Sequence, residues 1–355
     1  MLFGALEVGL RVVWRNPYGA TNHHHETTRL HVPSPGGHAR ADGLYEGAGE
    51  VRLAVDSDYA IGRGSSPRPA RCVALGGSTT ESALVPEGSR WPDLLDWKNY
   101  GVSANDTVDS YFNLHFLLGN VLEGEAPCVA VMEAINDLGG MLHATPLSVE
   151  RRPSAQHDVL QGESKAKLLG VSVRQSALIA YFVFSGAERN GRFFLPQYVE
   201  KRREQGSLPS LAPADAQAFR DDVRARFLPA RAEMIRKIDQ MVKERRGTLI
   251  LVTQPNAYRS DYRPFETDLR LVAEKQRRVF SLEATGELLQ EINDQTLALA
   301  RELGRPSADV ATCFRAKDPG PLFYDSIHLT PAGSRAVAEC VRKSVPEWVD
   351  PGAPP

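Results

Sequence analysis

A chain of 355 residues, 42% apolar and 24% charged, buries enough surface to fold without staples and can hold one large α/β domain or two small ones. Its 42 basic and 44 acidic residues nearly cancel, to a net charge of −2, leaving no clustered basic excess of the kind a nucleic-acid partner requires. The four cysteines are too few for a disulfide framework in a chain this long, and no Cys-x-x-Cys or Cys/His metal spacing occurs.

From the N-terminus, Met1 to Trp14 is apolar but broken by Glu7 and Arg11. It is too short for a membrane span and lacks the basic start and small-residue cleavage site of a signal peptide. It reads as an amphipathic helix lying on the protein or on a membrane surface. Asn16 to Pro69, rich in Gly, Pro, His and Arg, reads as an irregular arm, so that residues 1–69 precede the main domain. The run His23-His24-His25 points its rings in different directions and has no carboxylate spaced to join it, which fits a solvated loop better than a metal site. Ser65 to Pro69 marks the boundary before the first core strand.

The main domain is expected over residues 70–346. Cys72 to Leu75 reads as a buried strand that stops at Gly76-Gly77, and Ser78-Thr79-Thr80-Glu81 favours the first turn of a helix. A short segment, Trp97 to Gly101, follows. A helix is expected from Thr107 to Leu122, with Val108, Tyr111, Phe112, His115, Phe116 and Leu118 inward. Pro127 to Asn136 is a clearer strand, with the continuous apolar run of a strand covered on both faces. Cys72 and Cys128, inside these apolar runs, read as small buried residues, while Cys313 and Cys340 are open to pairing. Residues 142–211 leave this rhythm and read as an insertion: apolar and helical at Gln175 to Phe184, polar on either side. It either roofs the site or consists of packing helices with a mobile loop. A long amphipathic helix (Asp215 to Arg245), a strand (Gly247 to Thr253), a helix (Phe280 to Leu303, with Leu282, Leu288, Leu289, Ile292 and Leu297 inward) and a short strand (Ser307 to Ala311) follow. Thr330-Pro331 opens a closing helix as N-cap and first-turn proline, and residues 347–355 read as a disordered tail. Strands alternating with helices specify a mostly parallel sheet covered on both faces.

In such a sheet, sites collect where strands end and helices begin. A serine at a strand-to-helix junction exposes its hydroxyl at the sheet edge and its N–H at the positive end of the helix. Read alone, Ser78 serves equally well as an N-cap. Three further stretches bear on it. Gly101, after a short strand, lets a backbone N–H approach a ligand closely. Asn136, at the end of the clearest strand, can point an amide donor into the same crevice. In Asp325-Ser-Ile-His328 the carboxylate can accept from one imidazole nitrogen while the other faces a serine. Together they fit a machine in which Ser78 attacks an ester carbonyl, His328 takes its proton and Asp325 orients the ring. The N–H groups of Ser78 and Gly101 and the Asn136 amide would then stabilise the oxyanion.

Gly76-Gly-Ser-Thr-Thr80, Asn99-Tyr-Gly101, Ala134-Ile-Asn-Asp137 and Asp325-Ser-Ile-His328 resemble, in order and context, the four blocks of the SGNH (GDSL-type) hydrolases. The resemblance runs from about Arg71 to Val345, and Leu322 to Gly333 is its most specific part. It implies a flavodoxin-like three-layer α/β/α sandwich and ester hydrolysis without a metal or cofactor. The substrates it implies are acetylated sugars, lipids, thioesters or simple aryl esters. Two departures stand out: Gly77 replaces the usual Asp before the serine, and Ala134 the usual Gly of the third block. The segment from Glu7 to Arg11 resembles the end of an N-terminal membrane anchor found in some bacterial members, which implies an extracytoplasmic or membrane-associated setting and a peripheral membrane contact.

Other serine-enzyme patterns fail on spacing. There is no second glycine for a Gly-x-Ser-x-Gly elbow, and Glu81 stands where a Ser-x-x-Lys motif needs lysine. No phosphate-cradling glycine loop is present. The expected activity is that of a serine esterase removing an acetyl or other short acyl group, with a carbohydrate favoured as the carrier. Acyl transfer by the same residues, lipid or aryl ester hydrolysis, and a catalytically silent glycan-binding or envelope-assembly role are the alternatives.

Overall fold

The computed structural model describes residues 72–120, 128–142, 207–258, 271–273 and 278–345, with the shorter stretches 22–24, 31–33, 38–41, 43–52, 54–55, 60–61, 167–168 and 171–172. The expected amphipathic N-terminal helix, the boundary at Ser65 to Pro69, the helix at Gln175 to Phe184 and the C-terminal tail lie outside the described residues. So does most of the 142–211 insertion.

Five parallel strands form the central sheet: β1 (Cys72–Gly76), β2 (Lys98–Gly101), β3 (Cys128–Met132), β4 (Thr248–Val252) and β5 (Ser307–Ala308), in the order β2-β1-β3-β4-β5. This order is that of flavodoxin-like doubly wound folds, in which the chain reverses its direction of winding between the first and third strands. In register, Gly76 lies opposite Gly101 on one side and Met132 on the other, so β1, β2 and β3 end level with one another.

Alternate strand residues feed two cores. On one face Cys72, Ala74, Cys128, Ala130, Met132, Ile250 and Val252 pack with Trp91, Phe314, Val337 and Val341. These come from α2 (Trp91–Leu94), α8 (Val310–Arg315) and α9 (Pro331–Ser344). On the other face Val73, Leu75, Val129, Val131, Leu249 and Leu251 meet Leu114, Ile235, Ile238, Val242 and Leu299. Those belong to α3 (Thr107–Asn120), α6 (Leu228–Glu244) and α7 (Leu282–Leu303). Helices therefore cover both faces, as a parallel sheet of continuous apolar strands demands. Two shorter helices border the site, α1 (Ser78–Glu81) and α4 (Ile135–Leu142).

Several elements differ from the sequence reading in detail. The single helix expected over Asp215 to Arg245 is α5 (Pro213–Asp222), a π-helical turn (Val223–Phe227) and then α6. Pro229 in the first turn of α6 has no N–H for the ladder, and the wider turn accommodates it. In α3, Val108 is buried and Tyr111 packs against the core as expected, but Leu114 is buried as well and His115 is exposed. In α7 the inward residue near the C-terminus is Leu299 rather than Leu297. The strand expected to run to Asn136 ends at Met132, which places Asn136 in the first turn of α4.

The cysteines form two disulfides, Cys72–Cys128 and Cys313–Cys340. Cys72 and Cys128 are buried as expected and are in addition bonded to each other: they lie opposite in register on neighbouring strands, with Cα atoms 4.3 Å apart. The second ties α8 to α9.

Part of the N-terminal arm is described and touches the domain. Ile61 N–H donates to the Asn99 carbonyl at 2.7 Å, adding an antiparallel bridge at the edge of β2. The Tyr45 hydroxyl donates to the Leu84 carbonyl at 2.6 Å.

Candidate active site

The site lies at the C-terminal ends of β1, β2 and β3, where the sheet reverses its winding. β1 runs into Gly77, and Ser78 opens α1 with its N–H among the orphan donors of a helix start. Thr79, Thr80 and Glu81 behind it are buried and Ser78 is half-buried. Thr79 is held from two sides: its carbonyl accepts from Trp91 Nε1 at 3.3 Å, and its Oγ1 accepts from Gln254 Nε2, also at 3.3 Å. The carbonyl oxygen of the same Gln254 side chain accepts from Ile135 N at 2.9 Å, so one residue beyond β4 bridges the turns that carry Ser78 and Asn136.

Opposite Ser78, residues 322–330 fold back on themselves. Tyr324 N–H donates to the His328 carbonyl at 3.0 Å and Thr330 N–H to the Leu322 carbonyl at 3.0 Å. Thr330 then caps α9 by accepting from Gly333 N at 3.1 Å, with Pro331 in the first turn. Within this loop the fully buried Asp325 is engaged on both carboxylate oxygens. Oδ1 takes the N–H groups of Ile327 at 2.9 Å and His328 at 2.7 Å, and Oδ2 lies 2.6 Å from His328 Nδ1. His328 Nε2 lies 2.8 Å from Ser78 Oγ. In a neutral imidazole, a carboxylate that takes Nδ1–H makes Nε2 the acceptor that faces the serine hydroxyl. The Tyr324 ring lies parallel to the imidazole at 5.4 Å, and Tyr45 from the arm lies 6.3 Å beyond it.

Asn136, in the first turn of α4, lies against the backbone of Gly77. Its Nδ2 donates one proton to the Asn105 carbonyl at 2.7 Å, and a primary amide carries a second. Gly101 is placed differently from the sequence reading: its N–H donates to Asn99 Oδ1 at 2.9 Å and is therefore engaged within β2. The position requires glycine because of space, since a Cβ there would lie 2.1 Å from the backbone nitrogen of Glu81. The chain beyond it makes a tight turn, with Asn105 N–H donating to the Val102 carbonyl at 3.0 Å. Ala104, at the exposed tip of this turn, has φ 67°, a left-handed backbone that costs a residue with a Cβ on the order of 1 kcal/mol.

Buried ionisable residues surround this arrangement. The Glu81 carboxyl is fully buried beneath the turn, and burial pushes it up to about 7 despite the Ser103 hydroxyl and N–H and the charges of Arg90 and His328. Glu133 is raised well above the usual carboxylate range by burial and by the nearby Asp137. Asp137, next to Asn136, accepts from Thr107 N and Oγ1, both at 2.8 Å, and from Arg231 Nε at 2.8 Å. Sequence reasoning had not singled out Glu81, Ser103, Asn105, Gln254, Arg231 or the two tyrosines. The polar run Ser103-Ala-Asn-Asp-Thr107, directly after a strand, was the available signal for the turn.

No family model matches the chain, and no curated protein matches it. Among solved structures, the chain is similar to a member of the lipolytic G-D-S-L family from Veillonella parvula, at 13% identity and TM-score 0.42 over 77% of this chain and 96% of that one. An acetylxylan esterase from Geobacillus stearothermophilus matches at 11% identity and TM-score 0.37, over 78% and 93% of the two chains. An extracellular lipase from Streptomyces rimosus matches at 15% identity and TM-score 0.41, over 77% and 99%.

Proposed function

We propose that the protein is a serine esterase in which Ser78 is the nucleophile, His328 the general base and Asp325 its orienting partner. The observation that carries the reading is the unbroken chain from Ser78 Oγ to His328 Nε2 at 2.8 Å and from His328 Nδ1 to Asp325 Oδ2 at 2.6 Å. In this reading His328 takes the Ser78 proton as Oγ attacks the ester carbonyl, and then gives it to the departing alcohol. A water activated by the same imidazole hydrolyses the acyl-enzyme. The oxyanion is met by the Ser78 N–H and the second amide proton of Asn136, each such donor being worth roughly 10²–10³ in rate.

For the substrate we propose an acetyl or other short acyl ester on a carbohydrate. The half-buried rings of Tyr324 and Tyr45 beside His328 offer flat faces with polar tips, suited to the alcohol portion of such an ester. The SGNH-like blocks imply acetylated sugars as one of several ester classes, beside lipids, thioesters and aryl esters. The test is reaction with a fluorophosphonate probe alongside hydrolysis of p-nitrophenyl acetate. Both are expected of the parent and neither of Ser78→Ala. Labelling that survives the substitution, or a parent that neither labels nor turns over, overturns the reading.

A further inference from the structure

Glu81 takes no part in the triad, yet it lies one helical turn beyond Ser78, is fully buried, and faces the turn that holds Asn136. Its Oε2 accepts from the Ser103 hydroxyl, and the Ser103 N–H also favours its ionised form. Oε1 has no hydrogen-bond partner among the described residues. Ser103 sits in the middle of the Val102–Asn105 turn, whose last carbonyl receives the Asn136 amide at 2.7 Å. Below that turn, Gly101 lies directly against the backbone of Glu81, so α1 and the turn have no slack between them. A buried carboxyl is costly unless something needs its acceptors.

We propose that Glu81 is a positioning residue: through Ser103 it clamps the Val102–Asn105 turn and so fixes the direction in which Asn136 presents its amide to the oxyanion. The proposal rests on the esterase reading for its catalytic consequence, but the clamp itself does not depend on that reading. The charged groups facing Glu81 are the Arg90 guanidinium, itself beside Asp93, and His328. Both favour the carboxylate, the form able to accept from the hydroxyl and the N–H of Ser103 at once. Burial opposes them and raises the carboxyl to about 7, which puts the change of clamp strength in the pH range where esterases are assayed. Protonation converts one acceptor oxygen into a donor and weakens the hold on the turn.

The experiment compares the parent with Glu81→Gln, Ser103→Ala and the double variant on p-nitrophenyl acetate from pH 5 to 9. At pH 8, Glu81→Gln is expected to lower kcat about tenfold or more, with KM within twofold. In log kcat against pH, the parent should show a step of about one log unit centred near pH 7, where Glu81 titrates, and Glu81→Gln should lack it. Ser103→Ala should lower kcat in the same direction, and the double variant should lose no more than Glu81→Gln, because both act through one contact. Hydrogen exchange of the 98–108 segment, read by mass spectrometry, should rise about tenfold in Glu81→Gln and stay parental in β3. An unchanged kcat and pH profile in Glu81→Gln, or losses that multiply in the double variant, overturn the proposal. Should Glu81→Gln fail to fold, parental kcat in Ser103→Ala overturns it. Were the parent to prove inactive and unlabelled by fluorophosphonate, the esterase reading would fail, while the exchange of segment 98–108 would still decide the clamp.

Discussion

The backbone of Gly77 and the side-chain amide of Asn136 share one small space: a Cβ at position 77 would lie 2.1 Å from Asn136 Nδ2 and 3.0 Å from the Asn105 carbonyl. This gives a physical reason for glycine where the SGNH-like pattern usually has aspartate. Here the Asn136 amide, not a side chain at 77, occupies that space. The obstacle on the Asn136 side is the tip of a side chain, so Gly77→Ala should displace that amide rather than the fold. We expect kcat/KM to fall about 10²-fold, as for loss of one oxyanion donor, with a stability change of about 1 kcal/mol. A variant with parental kcat/KM would show that Asn136 is not a donor.

Directly behind Asn136, Arg231 and Asp137 form a buried ion pair at 2.8 Å, 1% and 0% exposed. The arginine also donates to the Glu133 carbonyl at 2.9 Å and to Thr296 Oγ1 at 3.1 Å. The pair thereby joins α6, the end of β3, α4 and α7. Breaking it from one side strands a buried charge, which typically costs about 3–5 kcal/mol. Arg231→Met should lose that much in urea unfolding, whereas the exposed pair Arg236–Glu302 should give under about 1 kcal/mol on Arg236→Ala. Equal, small losses would mean that Asp137 finds another partner.

The sheet was legible in the sequence because its strands are continuous apolar runs bounded by turn residues: β3 and β4 fall within the expected segments, and β1 runs one residue past its own, to Gly76. The Thr330 cap of α9 was equally legible, being a local hydrogen bond between residues three apart. What escaped was non-local. Nothing in the order of residues shows that Gln254 would reach Thr79 and Ile135 across the sheet. The disulfide between Cys72 and Cys128 depends on the register of two strands separated by 56 residues, which an apolar run does not encode. Glu81 looked like an ordinary first-turn acid until β2 and its turn were packed over it.

The disulfides Cys72–Cys128 and Cys313–Cys340 close stretches of 56 and 27 residues. On the chain-entropy account each stabilises by roughly 3–4 kcal/mol, the longer one more. Protein isolated without reductant should therefore show no thiols on titration in denaturant. Cys313→Ala/Cys340→Ala and Cys72→Ala/Cys128→Ala should each lower Tm, the latter further. Four titratable thiols in protein prepared without reductant would contradict both bridges. Bonds of this kind persist in oxidising compartments, and such a titration on protein taken directly from cells also reports the compartment.

Glu81 should also leave a signature in stability, opposite in sign to its expected effect on rate. Its folded value of about 7 lies above the ordinary 4.5, so folding favours the protonated carboxyl. The stabilisation is complete below about pH 4.5 and is lost as pH rises through about 7, a swing on the order of 3 kcal/mol. Glu81→Gln stays neutral at every pH and should match the parent near pH 4.5 but exceed it in Tm at pH 8. Glu133, raised in the same sense, is present in both proteins and cancels from the comparison. A Tm difference that does not change between pH 4.5 and 8 would mean that Glu81 titrates alike in folded and unfolded chains. If the gap opens, and the more stable variant is also the slower one, then the protein carries a buried charge at the cost of stability in order to hold the Val102–Asn105 turn against Asn136.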